Sequence, residues 1–219
     1  MTVDTFKDTF KAHKLRQLDA QATLAELRTA QALREERYFG ATDDQQHQHY
    51  FIGAVASDTV SACAQHLALW HRLDPECDMN IEIHSGGGSA LAGINLFDTL
   101  TGYSLRGGGT HKLTLTVKGL AASMATVLVQ AADVRLIGPE SFFMVHELSG
   151  QTAGKIGELE DTMKFYRKLN DRIGEIYVDR SGGKCDADTF KALWTRQDVW
   201  LNAREAFDLG FVDRIEGTN

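Results

Sequence analysis

HKLTLTVKGLAASMATVLVQAA (111–132) joins two kinds of chain in one run. From His111 to Gly119 apolar and polar residues alternate, the periodicity of a strand. From Ala121 to Ala132 small and apolar residues follow with no turn signal between, which predicts a buried helix directly behind that strand. The same change occurs upstream, where MNIEIHS (79–85) alternates and SGGGSALAG breaks into a helix running from about Ser89 to Thr101. Before it, YFIGAV (50–55) predicts a strand, and Ser57-Asp58 can cap a helix over 59–73. After the quoted run come VRLIG and SFFMVHE, two short strands around Pro139, and a long amphipathic helix over 154–179. A helix over 187–194 with Asp186 or Asp188 as cap, a VWL strand, a helical turn at 203–208 and FVDRI close the chain. Repeated strand–helix units predict an α/β fold with a mainly parallel, buried sheet. In such sheets reactive groups sit where a strand ends and a helix begins.

Outside this core the pattern differs. Residues 5–37 carry Phe6, Phe10, Leu15, Leu18, Ala22, Leu24, Leu27 and Leu33 at three- to four-residue steps, which predicts one amphipathic helix. GATDDQQHQ (40–48) has linker composition, so 1–45 reads as a helical arm and 46–219 as the main domain. Such an arm packs back on its own domain or docks on a neighbour. Over the 219 residues, 43% apolar and 24% charged side chains are those of a globular protein. No apolar run approaches a membrane span, and charges throughout the first 20 residues speak against a signal peptide, which makes the cytoplasm the default location. A formal charge of −7 argues against nucleic acid as the main partner. Cys63, Cys77 and Cys185 show no metal spacing and read as small buried or idle thiols, with Cys185 in its Gly/Lys/Asp turn the one expected to be exposed. His47 and His49 have no third ligand in sequence and read as part of a solvated linker.

Four constellations carry the chemistry. In HSGGGSALAG (84–93) three glycines after a strand can aim free N–H groups at an anion or oxyanion, although neither a P-loop lysine nor a dinucleotide spacing is present. In GLAASMAT (119–126) Ser123 stands at a strand-to-helix handover among small residues, as a nucleophile at a sharp turn must, and the Met124 N–H at the helix start is a possible oxyanion donor. FFMVHEL (142–148) puts His146 at a strand end, where one sheet edge can bring it to Ser123 as the base a serine hydroxyl needs. In TRQDVWLNAREAFDLGFVDRI (195–215) Asp198 precedes an apolar step, where a partly buried carboxylate could orient an imidazole. Asp186, Asp188, Asp208 and Asp213 compete with it on composition.

Taken together and in order, SGGGSALAG, GLAASM, FFMVHE and QDVWLNAREAFDLGFVD resemble the landmarks of the Clp protease proteolytic subunit (ClpP) family, over about Tyr50 to Ile215. The resemblance implies the ClpP/crotonase-like fold with a protruding handle helix, here 154–179, and no metal or organic cofactor. It implies Ser123 as nucleophile, His146 as base and Asp198 as acid, with Gly88 and Met124 as the oxyanion N–H groups. Gly87, Ser89 and the Gly150–Gln151 segment would hold an extended peptide, SGQTAG (149–154) corresponding to a short strand before the handle. It further implies a homo-oligomer, a heptameric ring or stacked double ring enclosing a chamber, and an ATPase ring as partner. Gly86 replaces the proline of the family's glycine loop, Glu147-Leu148 replace Gln-Pro after the histidine, and Arg106–Gly109 form an insert. A helical arm stands where the family has its pore-lining segment, which resembles divergent bacteriophage members that process head proteins. A crotonase-type acyl-CoA enzyme shares the fold, but such enzymes use carboxylates where Ser123 and His146 stand. A non-catalytic ring subunit is the other alternative.

Overall fold

The structure, a computed structural model, describes residues 14, 16–33 and 47–218. The chain divides into two compact units, 1–45 and 46–219. In the first, 16–33 is helical (α1), and its Leu18, Leu24, Leu27 and Leu33 are exposed. The predicted helical residues 5–13, 15 and 34–37, and the linker residues 40–46, lie outside the described residues.

The second unit runs β1 (Gln48–Ile52), α2 (Ser57–Leu73), β2 (Met79–Ser85), α3 (Ala90–Tyr103), β3 (Leu113–Ala122) and α4 (Met124–Val129). It continues through β4 (Val134–Ile137), β5 (Phe142–Val145), α5 (Ile156–Arg180), α6 (Ala187–Trp194), β6 (Val199–Asn202), α7 (Ala203–Asp208) and β7 (Arg214–Ile215). Among the described residues the strands form one sheet in the order β1-β2-β3-β4-β7, with β5 and β6 branching from β3. Every pairing is parallel except β5 with β6. The expected α/β fold with a mainly parallel sheet is the observed one. Its core is built where the alternation required: Ile81 and Ile83 of β2 and Leu113, Leu115 and Val117 of β3 are buried. Against them lie Val60, Cys63, Leu67 and Trp70, one stripe of α2 at helical spacing. Only the C-terminal third of α5 is buried, through Ile173, Gly174, Ile176 and Tyr177. Its first half exposes Ile156, Met163 and Phe165, the arrangement of a handle.

Four local expectations need correction. Helix α2 begins at Ser57 itself, with Ala56 as N-cap, because the Thr59 hydroxyl rather than Ser57 or Asp58 accepts the Ala56 N–H at 3.1 Å. Cys185 is 1% exposed: Ser181 Oγ accepts its N–H at 3.3 Å and donates to the Val178 carbonyl at 2.8 Å, which folds the Gly182–Gly183 turn back against the end of α5. His47 and His49 are no solvated linker: His49 belongs to β1, its ring 4.8 Å from that of His66, and His47 lies edge-on to Trp70. SGQTAG forms no strand, as no neighbouring strand within the described chain pairs with it.

Strand β3 is the piece that places the site. Its first half pairs with β4 (Thr114↔Val134 to Val117↔Ile137), its second with β5 (Leu120↔Phe142 to Ala122↔Met144). The change of partner occurs at an irregularity against β2, where Gly119 takes φ +74° and gives its N–H to Ser141 Oγ at 2.8 Å. Ala121 and Ala122, expected in the following helix, are thereby held in the sheet as its last two residues.

Candidate active site

The registers of β3, β5 and β6 bring three side chains to one edge. Ala122 pairs with Met144, so the next residue, Ser123, leaves the sheet beside the end of β5, and its N–H is held by the Met144 carbonyl at 2.8 Å. His146 follows Val145, the last residue of β5, and its Nε2 lies 2.7 Å from Ser123 Oγ. Val145 pairs antiparallel with Val199, so the residue opposite His146 is Asp198. Its Oδ1 stands 3.8 Å from His146 Nδ1, beyond hydrogen-bond length. Asp198 was expected to be partly buried; at 69% side-chain exposure it is not, because it precedes β6 in an open loop. The other aspartates are engaged elsewhere: Asp213 with Arg135, Asp208 with Arg204, Asp186 as the N-cap of α6, and Asp188 in that helix's first turn.

Ser123 takes φ +55°, ψ −128°, a conformation rare for a side chain bearing a Cβ, and α4 starts at the next residue. The glycine loop lies against this turn. A Cβ on Gly87 (φ +90°) would stand 2.6 Å from the Ala122 carbonyl oxygen and 2.7 Å from Ser123 Cβ, and one on Gly88 2.4 Å from the Val55 carbonyl oxygen. Only glycine allows that approach. Val55 pins the loop by donating to the Gly87 carbonyl and accepting from Ser89 N–H, while Ser89 Oγ accepts the Ala92 N–H as N-cap of α3. Among the described residues the N–H groups of Gly88 and Met124 take no backbone partner; for Met124, the first residue of α4, that is the usual state of an N–H at a helix start.

Ser123 and His146 open on a cavity of about 300 Å³. Leu91, Met124, Val127, Phe165, Leu169 and Ile173 form the apolar part of its wall. Ser89 and Ser149 line it, while neither Gly150, where a Cβ would stand 2.9 Å from the Tyr166 ring, nor Gln151 reaches the wall.

Sequence reasoning missed several residues that shape the site. Glu147, noted only as a carboxylate beside the base, accepts the Arg196 N–H at 2.8 Å. Arg196 itself sits at φ +58°, two residues before Asp198, so Glu147 ties the loop that carries Asp198 to the end of β5. Asn170 of α5 accepts the Leu148 N–H at 2.9 Å and holds the same segment from the other side. Neither role has a local signal, since both bonds join residues more than 20 positions apart. No group of three or more His, Cys, Asp or Glu among the described residues could hold a metal ion. No described helix is long and apolar enough to cross a membrane.

The fold and this edge define a class, the α/β proteins that carry a serine–histidine pair beside a glycine loop. Comparison with known proteins narrows it. The Clp protease family model matches residues 43–219. The ATP-dependent Clp protease proteolytic subunit of Bacteroides fragilis is 31% identical over 170 residues, covering 75% of this chain and 77% of that protein. The subunit of the same name from Bacteroides thetaiotaomicron is 30% identical over 170 residues, covering 75% and 72%. That of Ligilactobacillus salivarius is 31% identical over 165 residues, covering 74% and 79%. The chain belongs to the Clp protease family, a family of serine-type peptidases that form oligomeric rings and work with ATPase partners.

Proposed function

We propose that the protein is a serine endopeptidase in which Ser123 attacks a peptide carbonyl, His146 takes its proton and returns it to the leaving amine, and Asp198 steadies the imidazolium. The observation that carries this reading is the 2.7 Å contact of Ser123 Oγ with His146 Nε2 at the wall of a partly apolar cavity. The N–H groups of Gly88 and Met124 bind the oxyanion, a contribution of about 3 kcal/mol per donor. The backbone at Gly87 and Ser89 and the Gly150–Gln151 segment, still without a strand partner, takes an extended peptide by main-chain pairing. No metal or organic cofactor takes part. Through the family, the reading extends to a cytoplasmic homo-oligomeric ring, heptameric or doubled, whose chamber receives unfolded or partner-delivered polypeptide. The helical arm, in place of a pore segment, points to delivery by something other than a standard ATPase ring, as in phage head-protein processing.

Labelling with a fluorophosphonate probe tests the pair: the unaltered protein is expected to label, and His146→Ala to label at least about 100-fold more slowly. No labelling of the unaltered protein sinks the reading, and a stable monomer by mass measurement sinks the ring. One observation favours the alternative of a non-catalytic ring subunit, the 3.8 Å gap to an exposed Asp198. The tether at Glu147 bears on that gap. Glu147→Gln keeps an acceptor for Arg196 N–H and is expected to label within about threefold of the unaltered rate, whereas Glu147→Ala frees the loop and loses about tenfold. Equal losses in both variants would mean that the charge, not the tether, matters.

A further inference from the structure

Behind Ser123 lies a buried chain of hydroxyls that the acyl-transfer chemistry does not use. Thr126 Oγ1 lies 2.5 Å from the Ser123 carbonyl oxygen and 2.5 Å from Tyr177 Oη. A carbonyl only accepts, so Thr126 donates its one hydroxyl proton to Ser123, and Tyr177 must donate to Thr126. The Met144 carbonyl, 3.4 Å from Thr126 Oγ1, is too far to compete. Thr126 is fully buried and Tyr177 is 2% exposed. The Tyr177 ring is clamped by Phe190, stacked at 5.0 Å, and by Phe211 at 5.3 Å, so its hydroxyl has one place to point. Burial pushes the Tyr177 phenol well above its ordinary range, so it stays a donor at any working pH.

The bond matters because of which peptide it grips. The Ser123 carbonyl and the Met124 N–H belong to one peptide unit, and with no cis bond in the described chain they point in opposite directions from a rigid plane. Whatever fixes the carbonyl inward therefore fixes the N–H outward. The Thr126 N–H also reaches this carbonyl, at 3.0 Å, so it accepts two bonds on its buried side. The unit belongs to a residue at φ +55°, which needs surrounding contacts to persist. A carbonyl that accepts strongly also polarises its own amide and makes the attached N–H a better donor.

We propose that Thr126 and Tyr177 are positioning residues that set the Ser123–Met124 peptide plane, so that the Met124 N–H faces the substrate carbonyl. The inference rests on the reading of Met124 as an oxyanion donor. It also gives α5 a direct hold on the site: Tyr177 fixes the nucleophile's turn and Asn170, seven residues earlier, the segment after His146. The handle helix thus grips both partners of the serine–histidine pair.

The test compares Thr126→Val, Thr126→Ser and Tyr177→Phe in the full chain by fluorophosphonate labelling rate and by kcat and KM on a fluorogenic peptide. Thr126→Val, which keeps shape and loses the hydroxyl, is expected to lower labelling rate and kcat about tenfold with KM unchanged. Thr126→Ser restores the hydroxyl and both rates to within about threefold. Tyr177→Phe loses a few-fold, and Thr126→Val with Tyr177→Phe is no slower than Thr126→Val alone, because the phenol acts through the threonine. Labelling of Thr126→Val at the unaltered rate, or of Thr126→Ser as slow as Thr126→Val, overturns the proposal. If Thr126→Val does not fold, Tyr177→Phe decides, and a wild-type kcat there overturns it. An unaltered protein that does not label overturns the triad reading and this inference together, which separates that failure from a failure of the relay alone.

Discussion

Ser123→Ala is expected to lower peptide hydrolysis by at least about 10⁴-fold, with the quaternary state unchanged. On the proposed reading the serine supplies the bond-forming oxygen, and removing the nucleophile of such a unit costs about as much as removing the whole unit. His146→Ala should therefore fall into the same range, and the double variant should be no slower than Ser123→Ala. Asp198→Ala should behave differently. An orienting carboxylate that is buried and bonded to the imidazole is worth about 10⁴ in kcat. Here the carboxylate is 69% exposed and stands 3.8 Å from Nδ1, so water already shares its work. A loss of about 10- to 100-fold follows. Initial rates on a fluorogenic peptide, with active-site titration to exclude contaminating peptidase, check all three variants. An Asp198→Ala loss as large as that of Ser123→Ala would show that the acid closes on His146 during turnover and that the open loop is a resting arrangement. Equal activity in Ser123→Ala and the unaltered protein would end the peptidase assignment of Ser123.

How much of this could be read from residues alone depended on whether the signal was local. β2 runs over the seven residues that its alternation marked, and α7 over 203–208, because patterning within each segment decides them. Ala121 and Ala122 show the opposite case. Small residues before an apolar run read as helix, yet their pairing with Phe143 and Met144 keeps them in strand, a tertiary contact over 20 residues away that overrides propensity. The glycine loop, the serine and the histidine were legible as candidates because each stands at a strand end. The aspartate was not: five carboxylates were equivalent on composition, only the family resemblance pointed to Asp198, and the β5–β6 register places that residue opposite His146. Cys185 misled because Gly182-Gly183 signals a surface turn, and its burial depends on a hydroxyl at Ser181 that no composition rule weighs. Thr126 and Tyr177 carried no signal at all. A threonine in a helix and a tyrosine on an amphipathic face are ordinary until 51 positions of chain fold them together.

Asp213→Ala should cause the largest loss of stability among single substitutions of charged residues. Arg135 is 4% exposed on β4, and Asp213 receives its Nε at 3.1 Å, its Nη2, and the Arg135 backbone N–H at 2.8 Å, while Gln130 takes Nη1 at 2.6 Å. Removing the carboxylate leaves a buried guanidinium half-paired beside Arg180, whose own charge burial and Arg135 already disfavour, bringing it down to about 10. Breaking such a pair costs about 3–5 kcal/mol when both partners are buried; with Asp213 40% exposed, about 2–4 kcal/mol is expected. Arg135→Met combined with Asp213→Ala should recover part of this, because no orphan charge remains. Urea unfolding at one fixed protein concentration measures it, and a loss under about 0.5 kcal/mol for Asp213→Ala would refute the argument. The acid side gives a second readout. Burial pushes the Asp213 carboxyl up, but the hydrogen bonds and charge of Arg135 outweigh that and hold it below the ordinary carboxylate range. Its contribution is therefore complete above the unfolded-state value and lost as pH falls through the lower folded one. His49 acts at higher pH. Burial, and then the charge of His66, lower it from 6.5 to about 4, so the unfolded chain binds the extra proton and stability falls as pH drops from about 6.5 towards 4. His49→Gln should flatten that upper limb and Asp213→Asn the lower one. A single limb that responds to neither would place the acid sensitivity in other groups.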